Sequence, residues 1–187
     1  SREILKRLLL KRKQIIHKAE NKKSIFEDIL KEHREKTGSL KYTLVYVPEG
    51  NQPDDQGAEV FDTIERIKDD EDTIHLINEY TRIVRDVDSH IVVRQFTSES
   101  TDRDAILADF AKGNIDVLTS MKCLDEGVDV PRSEFAIFCA STGNPRQFIQ
   151  RRGRVLRTHN DKRFAIIHDL VVIPQINFDP DCYELEK

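Results

Sequence analysis

The chain has 187 residues, 38% of them hydrophobic and 34% charged, enough for one ordinary domain with a buried core and too apolar to be disordered by composition. A formal net charge of −4 argues against nucleic-acid binding by overall charge, so any such contact must be local. Three scattered cysteines (Cys123, Cys139, Cys182) give neither a zinc spacing nor a disulfide framework, six histidines form no HExxH, and no apolar run is long enough to span a membrane, which together predict a cytoplasmic protein with no metal site of its own and no membrane partner.

Charge is segregated along the chain. Residues 2–23 carry nine lysines and arginines against Glu3 and Glu20. Within this basic stretch Ile4, Leu5, Leu8, Leu9, Ile15 and Ile16 recur at helical spacing and predict a helix over 2–19. A second helix is expected from Ser24 to the Gly38 stop signal. The helical pattern begins at once after Ser1, so the chain is expected to be cut from something larger, with residues 1–39 as basic helices and linker. The main domain is expected over 40–170.

Residues 40–47 are strand formers closed by Pro48. Residues 49–72 then hold Gly50, Pro53 and Gly57 among many acids, the pattern of a mobile, solvated insertion around a weak helix. Asp70-Glu71-Asp72 follows a charged segment rather than a buried strand, which argues against the acidic magnesium box of a nucleotide-hydrolysing motor. Helical periodicity resumes at Ile74, Leu76, Ile77, Tyr80, Ile83 and Val84. A strand over 91–96 leads into a polar loop, and Thr101-Asp102-Arg103-Asp104 has the form of a capping box opening a helix through Phe110. Residues 115–119 form the third strand and 135–140 the fourth, continuously apolar as buried parallel strands are. Asn144-Pro145 opens a helix, because proline is favoured at the first helical position. Residues 164–170 are the fifth strand and 171–187 an irregular tail. Strands alternating with helices predict an α/β fold with a mainly parallel sheet and right-handed crossovers.

Ligands of such sheets sit at the carboxyl ends of the strands. Those ends place Thr97, Ser98, Thr119 and Ser120 near a loop containing Lys122, Gly127 and Asp129. The seven glycines give neither GxGxxG nor GxxxxGK[ST], so no dinucleotide fingerprint or P-loop is present. The stretch Gln150-Arg151-Arg152-Gly153-Arg154-Val155-Leu156-Arg157 packs four arginines into eight residues. On a helix, Arg154 and Arg157 would point the same way, with Gly153 holding the backbone open. Forked cations on one face suit a polyphosphate.

Residues 124–131 (Leu-Asp-Glu-Gly-Val-Asp-Val-Pro) resemble motif V of superfamily 2 helicases and translocases, and residues 150–157 resemble their motif VI, QxxGRxxR. The strand before Pro48, and residues 96–113, are similar to motifs IV and IVa. The resemblance covers roughly 40–170 in the right order and is to the C-terminal RecA-like (helicase C) domain, with a three-layer α/β/α architecture. The wording around Asn144-Pro145-Arg146-Gln147 looks most like bacterial restriction-enzyme motor subunits and related repair translocases. It departs from the RNA-dependent branch, whose motif VI starts with histidine and carries glycine where Leu156 stands.

The resemblance implies ATP with Mg, held mainly by an N-terminal RecA-like domain of the same parent chain, and double-stranded DNA as a partner, with restriction or repair subunits alongside. It implies Arg157 as arginine finger and Arg154 as a second phosphate contact, with Gln150 orienting the pair. Gly127 and Asp129 would face the ribose edge. Thr97, Ser98, Arg103, Thr119, Ser120 and Lys122 would grip the nucleic-acid backbone. The chain alone, lacking the P-loop, would be inactive as an ATPase. Three alternatives stay open: an RNA helicase domain, a Rossmann-like nucleotide- or sugar-binding module, and a noncatalytic domain whose arginine helix binds an acidic partner.

Overall fold

The computed structural model describes residues 4, 5, 8, 19–47, 63–97, 99–121, 128–139 and 145–172, with backbone alone at 20, 63–74 and 145–148. The first predicted helix lies almost wholly outside these residues, as do residues 49–62 of the expected insertion and the tail from 173.

Among the described residues, five strands form one sheet: β1 (Thr43–Tyr46), β2 (Val93–Phe96), β3 (Val117–Ser120), β4 (Phe135–Phe138) and β5 (Ile166–Asp169). Their order is β2-β3-β1-β4-β5 and every pairing is parallel. Among the described residues, helices α1 (Glu20–Thr37), α2 (Thr63–Val87), α3 (Arg103–Lys112) and α4 (Pro145–Val155) connect or flank them. Burial follows position in the sheet. The three inner strands β1, β3 and β4 are buried throughout, whereas the edge strand β5 is partly exposed along its length. That difference is why residues 135–140 read as an uninterrupted apolar run, the pattern of a strand covered on both faces.

Alternate residues of each strand feed two cores, as the two-residue strand period requires. On one face Val45, Phe135 and Ile137 pack with Phe26 and Leu30 of α1 and with Ile77, Tyr80 and Val84 of α2. On the other, Leu44, Tyr46, Phe96, Leu118 and Phe138 pack with Phe110 of α3 and Val155 of α4. The result is the expected three-layer α/β/α arrangement. The edge-to-face pair of Phe26 and Tyr80, 5.0 Å between centroids, locks α1 to α2.

Three expectations need correction. The boundary placed at residue 39 does not coincide with a gap in packing: α1 is an integral layer, because Phe26 and Leu30 are wholly buried against the sheet. Residues 63–72, expected to lie in a solvated insertion around a separate weak helix, are the first turns of the 25-residue helix α2, continuous with the segment around Tyr80. The capping box at Thr101 does not form, since Asp102 is the N-cap and makes no side-chain cap bond. The helix stops do act as predicted. Gly38 and Gly113 both adopt the left-handed conformation, φ 76° and 77°, that returns the chain after α1 and α3.

Candidate nucleotide and nucleic-acid interface

The strand register aligns Phe96, Ser120, Tyr46, Phe138 and Asp169 in one row across the carboxyl end of the sheet. Three of the five are aromatic, and each carries a guanidinium. Arg103 of α3 lies 5.4 Å from the Phe96 ring, Arg151 of α4 lies 4.5 Å from Tyr46, and Arg152 lies 5.6 Å from Phe138. A cation over an aromatic face is attracted by the ring quadrupole. Arg152 also pairs with the Asp169 carboxylate. Arg151 is only 8% exposed, so its place is under α4, facing the sheet rather than a ligand.

Beyond this row, Arg154 Nη1 donates to Asp129 Oδ1 at 3.1 Å, and Arg157 Nε reaches the same oxygen at 3.2 Å. The side chains differ in access: Arg154 is 21% exposed and Arg157 59%. The convergence does not arise from helical spacing. α4 ends at Val155, so Arg157 lies past the helix and is brought back by the carboxylate. Lys162 Nζ donates to the Val155 carbonyl at 2.7 Å, satisfying an acceptor that the helix end leaves open. Burial holds the Lys162 pKa below its ordinary value. Gly153 has no left-handed φ and sits within α4, so it does not open the backbone as expected.

The remaining predicted residues are distributed unevenly. Asp129, expected at a ribose edge, is engaged by both arginines. Gln150 is exposed, and among the described residues it makes no hydrogen bond to either arginine; the holding is done by Asp129. Thr97 is half-buried at the end of β2, where its N–H donates to Ser100 Oγ at 3.0 Å. Arg103 is half-buried beside it.

Thr119 and Ser120 depart from the expected backbone grip. Both are wholly buried, and the Thr119 hydroxyl is shared with Thr81 at 2.9 Å inside the sheet–α2 contact. In this arrangement neither side chain reaches solvent, because the alternation of β3 turns one hydroxyl to each covered face. Ser98, Lys122 and Gly127 lie outside the described residues. Among the described residues, no group of three or more His, Cys, Asp or Glu side chains is gathered as a metal site, and no helix is long and apolar enough to cross a membrane.

One residue at this end of the sheet was indistinguishable in sequence from its basic neighbours. Lys22 of α1 is buried, and its Nζ donates to the Cys139 carbonyl at 2.8 Å. Burial lowers its pKa, with the nearby Cys139 opposing, and burial likewise pushes the Cys139 thiol well above its ordinary value. A buried ammonium bound to a strand-end carbonyl ties α1 to the chain immediately beyond β4. Nothing in the pattern of residues 2–23 singles out Lys22 from the other eight cations.

The donor set at Asp129 fits an anion: two guanidiniums, one of them accessible, sharing a single carboxylate oxygen. The comparisons with known proteins agree on what kind of domain carries it. The helicase conserved C-terminal domain matches residues 59–159, more than half of the chain. A 77-residue segment is 39% identical to the DNA 3'-5' translocase XPB2 of Sulfurisphaera tokodaii, covering 41% of this chain and 17% of that one. Among solved structures, a fragment assigned as the HsdR subunit of a type I restriction enzyme from Vibrio vulnificus YJ016 superposes with a TM-score of 0.57 at 19% identity, covering 79% of this chain and 26% of that one. Domain 2 of the DEAD-box helicase Mss116p, solved bound to an RNA duplex, superposes with a TM-score of 0.56 at 14% identity, covering 80% of this chain and 50% of that one. The chain thus spans only a fraction of the proteins it resembles. Sheet, helices and matched region together place it in one family: the protein belongs to the helicase conserved C-terminal domains, the second RecA-like unit of superfamily 2 helicases and translocases.

Proposed function

We propose that this chain is the second motor domain of an ATP-dependent DNA translocase of the restriction or repair type, and that Arg157 is the arginine finger it delivers to the nucleotide. The observation that carries this reading is the convergence of Arg154 and Arg157 on one oxygen of Asp129. The carboxylate holds two cations side by side without covering Arg157. An incoming γ-phosphate offers the exposed guanidinium a stronger partner. Bidentate guanidinium–phosphate contacts are charge-assisted and geometrically specific. A finger supplied from a second domain stabilises charge developing on the transferred phosphoryl group and is worth roughly 10³ to 10⁵ in rate. Arg154, less exposed and fixed to Asp129, is the second phosphate contact.

The nucleotide's other contacts, and the Mg that neutralises its phosphates, are assigned to the first motor domain. This chain has no P-loop spacing, and its contribution is the arginine side of the cleft. Double-stranded DNA is the proposed track, supported by the 39%-identical relative whose name is that of a DNA translocase. Thr97 just after β2 and Arg103 at the start of α3, both partly exposed, are the proposed strand contacts within the described residues, with Ser98 and Lys122 completing the set. Such contacts position the phosphate backbone without reading bases. Restriction or repair subunits are the proposed further partners and the cytoplasm the proposed location.

The test is ATP turnover by the parent protein at saturating double-stranded DNA. Arg154→Ala and Arg157→Ala are each expected to lower turnover at least about 10²-fold, with the melting temperature nearly unchanged. Arg157→Lys is not expected to rescue, because a point charge cannot replace a planar fork. Near-normal turnover with lysine at 157 would refute the finger assignment and favour a charged docking surface. The isolated chain should release no phosphate from ATP with or without DNA.

A further inference from the structure

At the amino end of the sheet, away from the row of guanidiniums and rings, one residue has an unusual backbone. Tyr42, immediately before β1, has φ 59°, a left-handed conformation that bulky side chains rarely adopt. Its carbonyl accepts from the Glu134 and Phe135 N–H groups at 3.0 and 3.3 Å. Its ring lies against the Arg132 guanidinium, 3.6 Å from Cζ to the ring centroid. The ring also meets Phe110 of α3 edge to face at 6.1 Å, and a Cβ on Gly113 would come within 2.9 Å of its hydroxyl. Tyr42 is thus wedged between the end of α3 and the loop over 128–134 that leads into β4.

Arg132 is the other half of this clasp. It is only 9% exposed, and its Nη1 pairs with the Glu134 carboxylate. Its Nε is buried with no hydrogen-bond partner among the described residues, so flat packing on the ring, rather than donor satisfaction, accounts for an arginine here. Three residues earlier on the same loop stands Asp129, the carboxylate shared by Arg154 and Arg157. The stretch between them has little slack. Val130 is buried in the core that also holds Val155 of α4, and the Ser133 N–H closes a turn onto the Val130 carbonyl at 3.1 Å. The same cluster reaches the arginines by a second route. Burial acts first on the Lys162 ammonium, and the Glu134 and Arg132 charges act next; that ammonium donates to the Val155 carbonyl at the end of α4.

We propose that Arg132, stacked on the left-handed Tyr42, is a positioning residue for the arginine pair: it fixes the 128–134 loop so that Asp129 holds Arg154 and Arg157 in place to meet the nucleotide phosphates. The proposal rests on the reading of Arg157 as a finger. Arg132 itself is covered and touches no ligand; it acts through Asp129. A planar guanidinium held between a ring and a carboxylate cannot slide without losing both contacts. Tyr42 keeps its unfavourable φ because its ring, its hydroxyl and its carbonyl are all engaged, and strain of that kind persists only where the surroundings over-determine it. The loop that presents Asp129 is thereby given one arrangement instead of several.

The experiment follows ATP turnover by the parent protein at saturating double-stranded DNA while ATP is varied. Arg132→Lys keeps the charge facing Glu134 but loses the flat stack, and Tyr42→Leu removes the ring. Each should lower kcat about 10-fold, with KM for ATP within about twofold, because a misplaced finger is felt in the transition state. DNA affinity should not change. Combined with Asp129→Asn, Arg132→Lys should add less than about a further twofold, since both act through one carboxylate. If Arg132→Lys turns over within about twofold of the unmodified protein, or if its loss multiplies in full with that of Asp129→Asn, the clasp does not position the arginines and this inference fails. A raised KM with kcat intact would assign Arg132 to nucleotide binding and also overturn it. Arg157→Ala is run in parallel. Turnover abolished there while Arg132→Lys behaves normally leaves the finger reading standing alone; normal turnover in Arg157→Ala ends both. Thermal melting of the 187-residue chain is the folding control, and should Tyr42→Leu fail to melt cooperatively, Arg132→Lys decides.

Discussion

Asp129→Asn is the substitution that most directly probes how the arginine pair is held. Both nitrogens lie just over 3 Å from one oxygen, at 3.1 and 3.2 Å, so the two guanidinium nitrogens lie within about 6 Å of each other. Two like charges that close repel, although solvent around the exposed Arg157 screens much of the repulsion. The carboxylate, just over 3 Å from a nitrogen of each cation, offsets that repulsion. Asparagine keeps the shape and removes the charge, leaving the repulsion uncompensated until phosphate arrives.

The stability cost is small, because Arg157 is mostly in water and exposed pairs contribute about 0.2–1 kcal/mol. A fall in melting temperature of no more than about 2–4 °C is expected for the 187-residue chain. The cost to turnover in the parent is larger, since an arginine displaced by about 1 Å can lose up to 10²-fold in rate. A loss of roughly 10-fold or more at saturating ATP and DNA is expected, read as phosphate release with thermal melting as the folding control. If Asp129→Asn melts lower yet turns over within about twofold of the unmodified protein, the carboxylate is a structural clasp and the charge argument is wrong.

Other parts of the molecule yield further tests. Lys22→Ala strands the Cys139 carbonyl among apolar residues and should cost about 1–3 kcal/mol; an unchanged thermal melt would mean that water replaces the ammonium. His33 stacks on Phe135 at 3.8 Å between ring centroids, and burial first, then His168 and Lys36, lower its pKa below 6.5. The unfolded chain therefore binds that proton more readily, so stability should be full above pH 6.5 and fall as pH drops below it. His33→Phe should flatten this part of a pH series of urea melts, and an unaltered slope would assign the effect to other groups. Nucleic-acid binding by the isolated chain should be weak, sequence-independent and steeply salt-dependent, since a net charge of −4 opposes it; a tight, salt-insensitive affinity for one sequence would contradict the motor reading.

The amino-acid sequence by itself determined the alternation of strands and helices, the parallel sheet, the glycine stops at 38 and 113, and the two segments that carry motifs V and VI. These are local signals: a run of apolar residues, a proline at a helix start, a glycine where φ must be positive. It also brought Asp129, Arg154 and Arg157 into one short list, though as separate contacts. Their meeting on one carboxylate oxygen was decided by tertiary structure, because Asp129 precedes β4 and Arg157 lies beyond α4, and only the sheet brings the two segments together. Burial was likewise illegible for hydroxyls and cations. Thr119 and Ser120 look like loop-edge donors in sequence but sit inside the layers, while Lys22 and Arg151 look like surface charge but are covered by α1 and α4. Charge and hydroxyl content say what a side chain can do; packing of distant segments decides whether it meets a carbonyl, an aromatic ring, a carboxylate or water.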